Sequence, residues 1–264
     1  MVTIKKCVVS IDSLAGNSKS WKGYEDNLRQ DGYSVTHIDI FDEKRPFPSF
    51  WDFFPATGSP DEVAASLDWA AQLEKVDRAV GEFQSQGCQS IMGLGIGVGA
   101  NYLLLFRDGR ITNQLKEEGG WFPKLKHSDA LRAIAGANPH AEFPESITQK
   151  KIHATNIQLV SSPTYLVFGE EGVQTVPVTE SKAWIAEAAM GNRNLKVDIV
   201  KGVEYMFMLG DLPPMPFEHS PFYDEEAAAQ SWANMKSWLN EQVWATYNPF
   251  SYYMDQVLSV LQKV

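Results

Sequence analysis

Residues 90–106 read SIMGLGIGVGANYLLLF, with glycine at every second place from Gly93 to Gly99 between two apolar runs. A buried strand that turns at once into a buried helix leaves little room for side chains at the corner. Folds that lack such a corner are excluded, and the question becomes what the corner is for.

Two chemistries use it. A dinucleotide-binding turn needs G-x-G-x-x-G after a strand, with an acidic residue about 20 positions on. Here the glycines step by two throughout, so the third falls in the wrong place, and no Lys followed by Ser or Thr supplies a Walker phosphate loop. The nucleophile elbow instead follows G-x-S-x-G, with small neighbours letting the backbone pass. GIGVG (95–99) fits that frame with Gly97 where the nucleophile belongs. Close packing alone can also explain glycines at such a turn.

The segments on either side alternate between strand and helix patterns. CVVSID (7–12), SVTHIDIF (34–41) and CQSIMGL (88–94) read as strands, and ALRAIAGANP (130–139), TYLVFGEE (164–171), the helix-like VTESKAWIAEAAMG (178–191) and KVDIVKGVEYMFM (196–208) follow in the same alternation. Between them, residues 20–33 carry Trp21, Tyr24 and Leu28 at helical spacing. Residues 59–87 open with Ser59, Pro60 and Glu62 as a capping start, continue with Val63, Leu67, Ala70, Val76, Val80 and Phe83 on one face, and stop at Gly87. A last helix places Ala228, Trp232, Met235, Leu239 and Val243 on one stripe. This alternation predicts an α/β fold with a mostly parallel central sheet and helices on both faces.

The formal net charge of -10 argues against a nucleic-acid partner, which needs clustered Lys and Arg. No apolar run reaches the roughly 18 to 20 residues of a bilayer span. The N-terminus enters a strand pattern directly, without the layout of a signal peptide. Cys7 and Cys88 read as two separate small buried hydrophobes, so a reducing, cytoplasmic setting is expected, or an organelle lumen after loss of a transit peptide.

The order of these pieces resembles the dienelactone hydrolase-type members of the α/β-hydrolase superfamily, from about residue 5 to residue 243. The resemblance rests on VVSIDSLAG near the oxyanion loop, DGYSVTHIDIF, the elbow frame, LRAIAGANP, PTYLVFGEEGVQTVP and, most specifically, HSPFYDEEAAAQSWANMKSWL. It implies the α/β-hydrolase fold, a three-layer sandwich, with a domain over 1–243 and a C-terminal extension over 244–264. It also implies where a Cys or Ser, an aspartate and a histidine should stand. Those places hold Gly97, Gly172 and Glu204. Glycine has no atom to attack a carbonyl, and a carboxylate does not replace imidazole as the base.

Substitutes are few. Glu171 adjoins the acid position, and His219 lies in the loop that the resemblance places at the active-site rim. Ser13 is either a displaced nucleophile or a cap for the next helix. His37, inside a strand pattern, reads as a satisfied structural histidine. Glu170, Glu171 and Glu204 could gather at one sheet edge, yet no metal site and no cofactor is expected. The expected function is therefore a catalytically degenerate, non-catalytic binding or structural subunit of a larger assembly. The rival is a hydrolase of small lactones or esters acting through relocated groups. The aromatics of FPSFWDFFP (47–55), EYMFM and PPMPF either pack on themselves or line an apolar ligand site in the vestigial cleft. Beyond Asn248-Pro249, Tyr253, Val257, Val260, Leu261 and Val264 form a short stripe. It packs on its own domain or meets a protein partner or second copy.

Overall fold

Six strands and four helices follow one another in a computed structural model that describes residues 4–13, 18–40, 68–108, 123–139, 160, 162–170, 192–204, 207–210 and 223–247. In order these are β1 (Lys6–Ile11), α1 (Lys19–Gln30), β2 (Ser34–Ile38), α2 (Trp69–Ser85), β3 (Ser90–Ile96), α3 (Val98–Arg107), β4 (Leu131–Ala137), β5 (Thr164–Gly169), β6 (Leu195–Val200) and α4 (Glu225–Tyr247). A short 3-10 turn, Ser128–Ala130, leads into β4.

The described strands all pair in parallel, in the order β2-β1-β3-β4-β5-β6. The chain steps from β1 outward to β2, returns across β1 to β3, and then proceeds to β6. Helices leaving β1 and β3 thus depart toward opposite faces, and the gap between the C-terminal ends of those two strands is the topological switch point. Every residue of β3 is buried, as expected of a strand covered on both faces.

Two cores confirm the three layers. Cys7, Val9 and Ile11 pack with α2 residues such as Leu73, Val76 and Val80 and with Tyr102 to Phe106 of α3. Val8, Met92, Leu94 and Ile96 point the other way, against Trp21 and Leu28 of α1 and the Trp232, Met235, Leu239 stripe of α4. Alternation along each strand separates the two sets.

Local signals set the helix ends, with one correction. Ser18, not Ser13, caps α1, its Oγ accepting from Trp21 N at 3.1 Å. Gly32, at φ 84°, turns the chain into β2. The 59–87 pattern is not one uninterrupted helix. Asp68 has non-helical dihedrals and its Oδ1 accepts from Ala71 N at 3.0 Å, so the described helix starts at Trp69. Ser59, Pro60, Glu62, Val63 and Leu67 lie outside the described residues. At the other end, α4 runs to Tyr247, past the expected boundary at 243 and up to Asn248-Pro249. The stripe from Tyr253 to Val264 lies outside the described residues.

The cysteines overturn a second expectation. Cys7 and Cys88 form a disulfide across 81 residues, with Cα atoms 6.1 Å apart. Cys7 sits early in β1, and Cys88 leads into β3, the strand that pairs with it. Buried Cys7 and half-buried Cys88, at the start of neighbouring strands, are thereby within bonding reach. The argument for a reducing compartment from unpaired thiols falls with this bond. No helix among the described residues is long and apolar enough to cross a membrane.

Closing so long a loop removes much of the unfolded chain's freedom, worth about 4 kcal/mol in the chain-entropy model. Thermal denaturation should therefore show the Tm falling by roughly 10 °C in reductant and by a similar amount in Cys88→Ala. An unchanged Tm in both would mean that the crosslink contributes nothing.

Candidate functional site

The corner at residues 95–99 has the geometry of an elbow. Gly97 adopts φ 54° and ψ -128°, a left-handed-φ conformation that strains any residue with a Cβ. Its N–H donates to Ala137 O of β4 at 2.8 Å, and its carbonyl accepts from Ala100 N at 3.1 Å. The flanking glycines are required by contact. A Cβ on Gly95 would lie 2.6 Å from Ala100 N, where α3 folds back over its own strand. A Cβ on Gly99 would strike Ile11 O, and would lie 2.6 Å from Asp12 O, at the end of β1. The start of α3 is therefore seated on the switch point with no side chain between. Gly99→Ala, which must push β1 and α3 apart, should lower the Tm by more than 10 °C or abolish soluble expression. A near-native melt would show that the contact is soft.

Beside this seat, Asp12 is buried and holds the loop after β1. Its Oδ1 accepts from Ser13 N and its Oδ2 from Ser18 N, each at 2.7 Å. Burial pushes its pKa up to about 6, against the pull of those two N–H bonds. Ser13 is also fully buried, and its N–H serves this loop. Nearby, Glu25 of α1 is 2% exposed and accepts from His37 Nδ1 at 2.7 Å and from the Arg29 guanidinium at 3.3 Å. Burial alone would lower the His37 pKa, but the Glu25 carboxylate and its hydrogen bond hold it above the ordinary value. Glu25 is held below its ordinary value, because His37 and Ser10 outweigh its burial. His37 is half-satisfied: its Nε2 is buried and without a partner.

These shifts set a pH dependence. Folded Asp12 holds its proton more tightly than the unfolded chain, so its contribution is greatest in acid and declines from about pH 4 to 6. The raised His37 contributes stability fully below pH 6.5 and loses it as pH rises through the higher folded value. A carboxyl resonance of Asp12 should thus titrate near pH 6. The Tm should fall as pH rises above 6.5, and His37→Gln should flatten that fall. A His37 ring titrating below 6.5 would contradict the ion pair.

On the other side of the elbow, a line of contacts follows the C-terminal edge of the sheet. Asn138 ends β4 at φ 45°, the sole non-glycine with positive φ among the described residues. Its N–H donates to Val167 O at 2.7 Å, and its Oδ1 accepts from Gly169 N at 2.9 Å. Gly169 in turn lies against Glu204: a Cβ there would collide with Glu204 O and sit 2.8 Å from Val203 O. Glu170 Oε2 accepts from Gly202 N at 3.2 Å, pinning the same turn. The structure thus connects Gly97, the end of β4, the end of β5 and the turn carrying Glu204. Glu171, Gly172 and His219 lie outside the described residues. Phe207 and Met208 are fully buried in the core beside α1 and α4, so these two do not line a ligand site.

Asn138 and the Asp12 staple were not singled out by sequence. LRAIAGANP announces a strand end, but Asn before Pro is also an ordinary turn signal. The buried amide costs something: Asn138 is 2% exposed and its Nδ2 has no hydrogen-bond partner. An unmet buried donor costs about 1–3 kcal/mol, and non-glycine backbone in this region costs about as much again.

A parallel sheet in this order, layered between helices and turning through a glycine elbow at the end of β3, decides the fold. It is that of the α/β-hydrolases. Solved structures agree. A protein assigned as a dienelactone hydrolase from Klebsiella pneumoniae subsp. pneumoniae is 14% identical with a TM-score of 0.66, over 91% of this chain and 88% of the other. A dienelactone hydrolase-like promiscuous phosphotriesterase from metagenomic libraries is 14% identical with a TM-score of 0.55, over 92% and 88%. Thermogutta terrifontis esterase 2, phosphoramylated by tabun, is 10% identical with a TM-score of 0.57, over 90% and 83%. No protein-family model matches the chain, and no curated protein matches it. At these identities the likeness speaks for the fold alone.

Proposed function

We propose that this chain is a catalytically degenerate, dienelactone hydrolase-like protein that acts as a non-catalytic binding or structural subunit of a larger assembly. One observation carries the reading. The elbow is built in full, with its strained φ and its two close glycine contacts, and the residue at its apex is Gly97. Acyl transfer on this scaffold needs an oxygen or sulfur at that point. The position expected to hold the histidine carries Glu204, whose backbone is packed against Gly169. A carboxylate there lacks the proton-relay role of imidazole between nucleophile and leaving group.

Support for a partner comes from the end of α4. Trp244 is 65% exposed in the last turns of that helix, where the extension begins. An indole so exposed beside an apolar stripe is an anchor of the kind that interfaces use. Deleting residues 248–264 should lower the mass measured by size exclusion with light scattering while the melt stays cooperative. A truncated chain that no longer folds would assign the extension to the core instead.

The rival reading, a hydrolase of small lactones or esters through relocated groups, is kept in view because the structural neighbours include hydrolases. Purified protein should show no turnover above background on p-nitrophenyl esters and simple lactones, and no covalent labelling by a fluorophosphonate. Gly97→Ser should remain inactive, because one restored atom does not restore the base. Turnover by the natural chain that disappears in Glu204→Ala would establish the rival.

A further inference from the structure

The outer side of β2 carries backbone groups that the described sheet does not use. Lys5 O accepts from Gln89 N and Ser90 N, so the backbone of Lys5, Cys7 and Val9 faces β3 and that of Val8 and Ser10 faces β2. The register Val8↔Val35 and Ser10↔His37 then bonds those two residues to Ser34, Thr36 and Ile38. The N–H and C=O groups of Val35 and His37 are left pointing outward. Among the described residues, one long contact reaches them, 3.5 Å from Arg29 Nη2 to Val35 O. Arg29 has closer partners in Asp26 and Glu25, at 2.7 and 3.3 Å.

The side chains divide between the two faces. Val35 and His37 turn toward α1, where His37 meets Glu25. Thr36 and Ile38 turn toward α2, beside an open groove of about 380 Å³ that they line together with α2. The helical wall of that groove carries Arg78 and, one turn on, Glu82. Both are exposed, and among the described residues neither takes part in an ion pair. A bare strand edge is a template for another strand. A wall bearing a cation and then an anion complements itself when its direction is reversed, as a two-fold axis requires.

We infer that β2 is a self-association edge, on which a second copy of this chain pairs its own β2 antiparallel about a two-fold axis at Thr36. The free groups set the register. Val35 exchanges both backbone hydrogen bonds with His37 of the second copy. Thr36 then stands opposite Thr36 as the non-hydrogen-bonded pair, with Cα atoms about 4.5 Å apart. Their side chains meet above the groove as a favourable cross-strand pair. The same axis reverses α2 and turns Arg78 of one copy toward Glu82 of the other. An identical strand fits because it returns a donor for each acceptor and the opposite order of charge. The inference rests on the assembly role proposed above for its purpose, but its surface is separate from the C-terminal extension.

Full-length Thr36→Cys, under mild oxidation, should give a covalent dimer as the main species on a non-reducing gel. Val35→Cys should not, because the axis makes its Cβ atoms diagonal neighbours roughly 7–8 Å apart. Val35→Pro keeps the bonds to β1, since that N–H faces outward, and removes two of the four bonds across the axis. Light scattering should show it with a lower mass than the natural chain and a cooperative melt. Arg78→Glu leaves the strand untouched and should weaken self-association at least tenfold, and adding Glu82→Arg should restore it. A natural chain that runs as a monomer, equal crosslinking at 35 and 36, or unchanged association in any folded Val35→Pro or Arg78→Glu variant would overturn the contact. Ester or lactone turnover by a chain that still crosslinks at Thr36→Cys would defeat the non-catalytic reading and leave this edge standing.

Discussion

The architecture depends on backbone meeting backbone. At the switch point, the first turn of α3 rests on the carbonyls of Ile11 and Asp12, and nothing larger than a hydrogen at position 99 fits between them. A second contact of the same kind, Gly169 against Glu204, seats the turn after β6 on the end of β5. Side-chain packing in a core can adjust by rotamer changes, whereas contacts between main chains have no such slack. They fix the relative heights of β1, β3, β5 and the loops above them, and so fix the shape of the cleft edge before any side chain is considered.

On that frame, three buried polar groups tie neighbouring elements together. Asp12 gathers the turn between β1 and α1 with two backbone N–H bonds. Glu25 ties α1 to the edge strand β2 through His37. Asn138 joins the ends of β4 and β5. Asp12 and Asn138 each supply an acceptor to backbone N–H groups beyond a strand end, where the sheet no longer satisfies its own backbone. The elbow thus stands between two stapled loops, with Gly97 at its apex.

Much of this was legible in the residues. Alternate glycines bounded by apolar runs marked the corner, helical spacing placed Trp21, Leu28, Trp232 and Leu239 inward, and the strand runs gave a parallel sheet. Other features were not, for physical reasons. Cys7 and Cys88 lie far apart in sequence, and nothing local tells two small apolar residues that they will face each other across paired strands. A continuous amphipathic pattern hid the helix start at Asp68, because periodicity reports a buried face and not whether the backbone breaks along it. Asn138 was invisible for a third reason: its side chain is defined by what the next strand offers, and an Asn-Pro pair reads the same whether it is a surface turn or a buried clasp.

The disulfide lies at the opposite end of the strands from the elbow, with the length of β1 and β3 between them. A reagent that cuts it would act on the floor of the molecule while the glycine seat, the Asp12 staple and the Asn138 clasp keep their own local ties. Oxidation state therefore bears on how long the chain stays folded, whereas the upper rim keeps its shape through its own contacts, and the two properties are free to change independently.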